Sequence, residues 1–121
     1  MNDETTPLAR LRESVQAFSR ERAWESFNTP KNLSMAIAAE ASELMEHFLW
    51  EPGEMSPDVL RDPVRLAAVR GELGDILIYV LEFANVSGID LASAVAEKIE
   101  KNSLRFPVEE VRGLRVRRPE L

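Results

Sequence analysis

The stretch 71–88, GELGDILIYVLEFANVSG, decides the fold. Its centre, Ile76 to Leu81, is an apolar run rich in branched side chains, and alone it would read as a buried strand. The flanks point the other way. Asp62-Pro63 upstream is a capping residue followed by a first-turn proline, and Ser87-Gly88 downstream is a stop, so the run lies inside one long helix from 63 to about 86. Leu66, Val69, Leu73, Leu77, Val80 and Ala84 recur along it at helical spacing. The apolar run is also far too short to span a bilayer, so no membrane partner is expected.

The same signals continue outward. Leu8, Leu11, Val15, Phe18 and Arg22 share helical spacing and predict a first helix over about Leu8 to Trp24. Thr29-Pro30 starts a second, expected to run to about Trp50, before Pro52, Gly53 and Pro57 interrupt it. Ser56-Pro57 opens a short helix ahead of the long one. Asp90 caps a last helix, about Leu91 to Leu104, which Pro107 limits. The fold class is therefore all-α, four main helices forming a bundle. Residues 1–107 read as one domain, and 108–121 as a basic tail whose Arg112, Arg115, Arg117 and Arg118 are expected to be mobile, with subunit contact as the alternative.

Composition narrows the function. At 121 residues, 45% hydrophobic and 30% charged with five Gly, the chain fits a single soluble domain. A net charge of -6 argues against binding a nucleic-acid polymer, though a bound metal could reverse the local sign for a nucleotide. The lack of cysteine removes disulfides, thiolate nucleophiles and Cys-ligated zinc. Met1 to Thr6 are polar and acidic, unlike a secretory signal, and a cytoplasmic location is expected.

Two acidic pairs, Glu40-x-x-Glu43 and Glu72-x-x-Asp75, stand inside the apolar helix patterns. Residues three apart share a helix face, so each pair can aim two carboxylates at one point. Glu40 falls within the stripe of Leu33, Ile37, Leu44 and Phe48, where a carboxylate destabilises the fold unless something positive joins it. Glu72, Asp75, Tyr79 and Glu82 lie roughly opposite the leucine stripe of the long helix. Such a face is ordinarily just the solvated side, although Ile76, Ile78 and Phe83 flank these acids. Taken together, the four oxygen donors suit Mg²⁺ or Mn²⁺ rather than zinc or copper, with a phosphate-bearing substrate beyond the metal. A helical di-iron site would need Glu-x-x-His, and His47 stands four after Glu43; it reads as a surface or interface residue.

Trp24 and Trp50 sit at helix ends beside loops, where a flat ring can stack on a base, and Tyr79 is one turn beyond Asp75. Lys98, Asn102 and Arg105 share a face of the last helix. They could meet phosphate oxygens or simply be solvated, pairing with Glu97 or Glu100.

In this order the residues resemble the all-α, MazG-like nucleotide pyrophosphohydrolases, in their dCTP pyrophosphatase branch. The resemblance covers about Phe18 to Pro107 and rests on Trp24-x-x-Phe27, Pro30-x-Asn32-Leu33, Glu40-x-x-Glu43-Leu44, Phe48-x-Trp50, Glu72-Leu-x-Asp75-Ile-Leu-Ile-Tyr79 and Lys98-x-x-x-Asn102-x-x-Arg105-Phe106-Pro107. It implies cleavage of a nucleoside triphosphate between the α and β phosphates, with Glu40, Glu43, Glu72 and Asp75 holding Mg²⁺ and with Trp24, Trp50 and Tyr79 lining the nucleoside pocket. Water would be the nucleophile, oriented by one of these acids or by Glu46. It further implies a homodimer or homotetramer, in which Lys98 or Arg105 could act on a neighbouring subunit's substrate. Two departures stand out. Ala39 precedes Glu40 where the wider family often has a second acid, and Val15 and Asn28 stand where the dCTP branch is expected to carry histidines. Asn28 can still donate to and accept from a base edge, and Val15 cannot.

Overall fold

A computed structural model describes residues 1–115, so Arg117 and Arg118 lie outside the described residues. The helices are α1 (Leu8–Glu21), α2 (Pro30–Glu46), the short α3 (Ser56–Val59), α4 (Pro63–Ser87), α5 (Leu91–Arg105) and the short α6 (Val108–Val111). No strand occurs among the described residues, and the run Ile76 to Leu81 lies within α4. The chain forms two compact units, Met1–Gly88 and the segment from Ile89 onward.

Three of the four caps lie where the sequence places them; Ser56 is instead the first residue of α3, and its hydroxyl donates to the Gly53 carbonyl rather than capping the helix. Thr29 accepts from the Asn32 amide, Asp62 from that of Val64 and Asp90 from that of Ser93. Gly88 closes α4 in the left-handed conformation, φ 69°, which glycine adopts without a Cβ clash. Two boundaries differ from expectation. The first helix stops at Glu21 rather than Trp24 because Ala23 turns left-handed, φ 52°, and the amides of Ala23 and Trp24 bond back to Arg20 and Ser19. The second stops at Glu46, and His47 to Trp50 form turns held by short-range bonds such as Phe48 N–H to the Met45 carbonyl. In the basic tail, Val108–Val111 form one helical turn after Pro107.

In the first unit, α1 and α2 both pack on α4. Leu33, Val69, Leu81 and Ala84 are buried between them, and Val59 of α3 is fully enclosed. Arg12 of α1 fastens the far end: its Nε donates to Asn85 Oδ1 and its Nη2 to the Ala84 carbonyl, while Asn85 Nδ2 donates to the Arg12 carbonyl. A cation on the last carbonyls of α4 also complements the helix dipole. The leucine stripe of α4 is only partly inward. Val69 and Ala84 are buried, yet Leu73 and Leu77 are 52% and 45% exposed. On the acid-bearing side, Glu82 is buried and Glu72 partly buried, while Asp75 stays exposed.

Candidate active site

The packing of α2 on α4 brings the two acidic pairs together. Carboxylate oxygens of Glu40, Glu43 and Glu72 lie within 4.8 Å of one another, a group of hard donors able to hold a metal ion. Glu40 Oε2 and Glu72 Oε2 are buried without a hydrogen-bond partner. Burial, then a hydrogen bond with Glu43 and the charges of Glu43, Asp75 and Glu72, raises the Glu40 carboxyl above the ordinary glutamate value. Orphaned buried oxygens and mutual repulsion are what a cation would relieve, so this donor set fits a hard divalent ion. Asp75 stands outside the tightest group of three, but its charge bears on Glu40.

His47 adds a contact that sequence spacing gave no sign of. Its Nε2 lies 3.6 Å from Glu72 Oε1. Arg65 holds the turn that carries it, donating to the His47 carbonyl and to Glu51 Oε1. Glu46 is exposed at the end of α2.

Beside the acids lies a partly open cavity of about 390 Å³, bordered mainly by α1 and α4 with Leu33 of α2, that Asp75 also lines. Its walls include Val15, Phe18 and Trp24 on one side and Ile78 and Tyr79 on the other. Phe18 and Trp24 meet edge to face at 5.8 Å, and the Arg22 guanidinium covers the Phe18 ring at 3.6 Å. The left-handed turn at Ala23 is what carries Trp24 back to this wall. The polar end is a chain: Asn28 Nδ2 donates to Ser19 Oγ at 3.2 Å, and Ser19 Oγ donates to Glu82 Oε2 at 3.4 Å. Ser19 and Glu82 are both buried, so the long helix's last acid is not on a solvated face.

The cavity thus gathers Trp24, Asn28 and Tyr79 next to Asp75. Trp50 is elsewhere, 92% exposed in the turn after α2 and not on the cavity wall. Lys98, Asn102 and Arg105 belong to α5 in the second unit, where Asn102 is half-buried and the Arg105 guanidinium lies 5.3 Å from the Phe106 ring. Among the described residues no single helix is long and apolar enough to cross a membrane.

Two helices that bring Glu40, Glu43 and Glu72 to one point, beside an aromatic-walled cavity, define an all-helical protein built around a carboxylate centre. The chain belongs to the MazG-like family, whose model matches residues 35–121. It is 40% identical over 106 residues to dCTP pyrophosphatase 1 of Bos taurus, covering 88% of this chain and 63% of that protein. It is 37% identical over 107 residues to dCTP pyrophosphatase 1 of Homo sapiens, covering 88% and 62%. The chain therefore spans less than two thirds of the length of these curated relatives. Among solved structures it is similar to a pyrophosphatase from Archaeoglobus fulgidus, with a TM-score of 0.79 and 32% identity over 88% of this chain and 98% of that one.

Proposed function

We propose that the protein is a Mg²⁺-dependent nucleoside triphosphate pyrophosphohydrolase that cleaves a (d)NTP to the monophosphate and pyrophosphate, with dCTP or modified deoxynucleotides as substrates in nucleotide-pool housecleaning. The observation that carries this reading is the convergence of Glu40, Glu43 and Glu72, with two buried, unpartnered carboxylate oxygens among them. Bound there, Mg²⁺, or Mn²⁺ in its place, would neutralise phosphate oxygens and help position the attacking water. Asp75 completes the acid set and joins it to the cavity that would receive the nucleoside. Trp24 and Tyr79 offer ring faces for the base and Asn28 an amide for its edge. The names of the Bos taurus and Homo sapiens relatives favour cytosine.

Trp50, Lys98, Asn102 and Arg105 are assigned to substrate as well, the cations and amide to phosphate oxygens. The exposed Leu73 and Leu77 support a homodimer or homotetramer, in which these groups could serve a neighbouring site. A cytoplasmic location, without membrane or nucleic-acid polymer as partner, completes the reading. A dUTPase-like enzyme would share the acids and differ in the base taken. A non-catalytic helical interaction module would show no metal-dependent turnover.

The test is to incubate the protein with a panel of nucleoside triphosphates, with and without Mg²⁺, and identify the products. Metal-dependent release of pyrophosphate and monophosphate is expected. Release of single phosphates, or no turnover, would sink the proposal. Trp50→Ala is expected to weaken nucleotide binding more than metal binding, measured by calorimetry with each; equal losses would remove Trp50 from the substrate site.

A further inference from the structure

Glu82 is a carboxylate only 4% exposed, on the cavity wall, and none of the ion pairs among the described residues involves it. A buried acid without a cation is costly unless hydrogen bonds meet it. Ser19 supplies one such bond and is itself steadied by Asn28. One hydroxyl has one hydrogen to give, whereas a carboxylate has two oxygens, so acceptor capacity remains beyond the Ser19 bond. Asn28 adds an amide carbonyl, another acceptor. The surrounding wall, with Val15, Phe18, Leu33 and Ile78, is apolar. Such a setting strengthens a hydrogen bond and penalises an acceptor that finds no donor.

Placement along α4 gives this polar end a counterpart in the substrate. Glu82 lies seven residues beyond Asp75, about 10 Å along the axis and on the same side of the helix. A nucleotide held at the acids by its phosphates would bring the edge of its base toward Glu82.

We infer that Glu82, held in place by Ser19 and Asn28, reads the exocyclic amino group of the base and so favours amino-bearing bases over their oxo counterparts. The inference rests on the pyrophosphohydrolase reading. An amino group donates to the carboxylate. A carbonyl at the same ring position sets lone pairs against lone pairs and leaves both acceptors desolvated and unmet. Cytosine and uracil differ in this way, so dCTP and dUTP are the matched probes. Glu82→Gln keeps the shape of the side chain but gives it an N–H donor, which an oxo base can use. Ser19 acts through Glu82 and is a positioning residue.

The experiment measures kcat/KM for dCTP and for dUTP with Mg²⁺ in the full chain, in Glu82→Gln and in Ser19→Ala, with folding checked by circular dichroism. The unaltered protein is expected to prefer dCTP. Glu82→Gln is expected to cut the dCTP-to-dUTP ratio roughly tenfold or more, the usual weight of a hydrogen bond to a charged group. Ser19→Ala is expected to shift the ratio the same way by less, a change that a merely structural hydroxyl would not produce. If Glu82→Gln does not fold, Ser19→Ala decides alone. An unchanged ratio in the folded variants, or a preference for dUTP in the unaltered protein, overturns the inference and leaves the pyrophosphohydrolase reading standing. No turnover of any triphosphate overturns both.

Discussion

Glu72 and Glu82 stand on the same side of α4, and the protein treats them in opposite ways. Glu72 Oε2 is buried without a partner and faces two further acids of α2. Glu82 is more completely buried and carries a hydroxyl donor. Both settings disfavour an acid, but Glu72 keeps a buried oxygen unmet beside its approach to His47, whereas Glu82 is held by a hydroxyl donor. An acid whose burial is met by a donor serves the fold or reads a ligand, whereas acids that converge with oxygens unmet are arranged for a cation from outside.

The contrast is broken most severely at the acid cluster. Glu40→Gln is expected to lower kcat/KM by about three orders of magnitude, as losing several kcal/mol of charge stabilisation implies, while the circular dichroism spectrum is unchanged. Activity within tenfold of the unaltered protein would remove Glu40 from the ligand set. The same substitution is expected to raise the melting temperature in metal-free buffer, because a neutral side chain ends the repulsion.

The pH response of the metal-free protein carries the same logic. Because the folded Glu40 carboxyl is raised above its ordinary value of 4.5, the folded chain holds a proton that the unfolded chain has lost. The stability contributed by this group is full below 4.5 and is lost as pH rises through the folded value. Melting temperatures across that range should therefore fall in the unaltered protein relative to Glu40→Gln. Added Mg²⁺ should reverse the trend by favouring the ionised acids, and parallel curves for the two proteins would refute the cause assigned to the shift.

At the other acid the sign is opposite. Ser19→Ala removes the donor that Glu82 has, and is expected to cost about 1–3 kcal/mol in urea denaturation. A stabilising effect would mean that the Ser19 bond does not support the buried acid. Smaller again, and remote from both acids' charge, is Thr29→Ala. Loss of the Thr29 cap on the Asn32 amide should cost about 1 kcal/mol with turnover unchanged per folded molecule.

The helices were largely legible in the sequence because their boundaries are chemical. Thr29-Pro30, Asp62-Pro63 and Asp90 are capping signals that act locally, and each caps the helix it announces. The turn at Ala23 was not legible, because a left-handed turn is normally announced by Gly or Asn and alanine carries no such signal. The acid pairs were legible because Glu40 interrupts an apolar stripe. Glu82 was not, since periodicity separates two faces of α4 without saying which of them α1 and α2 will cover. With Leu73 and Leu77 largely outward and Glu82 inward, the expected assignment of faces is partly inverted. Ser19 and His47 carry no local signal at all. Their roles exist only once α1 and α2 lie against α4.

The clasp between Arg12 and Asn85 bears on the order in which the molecule is assembled. It joins residues 73 apart in sequence, and the Ser19–Glu82 bond spans 63, whereas the caps close within three residues. Loop-closure entropy makes such distant contacts the slower ones to form. The local helical turns are thus expected to appear before α1 docks, and the cavity between α1 and α4 comes into being only with that last step. It is accordingly among the first features lost when the chain begins to open.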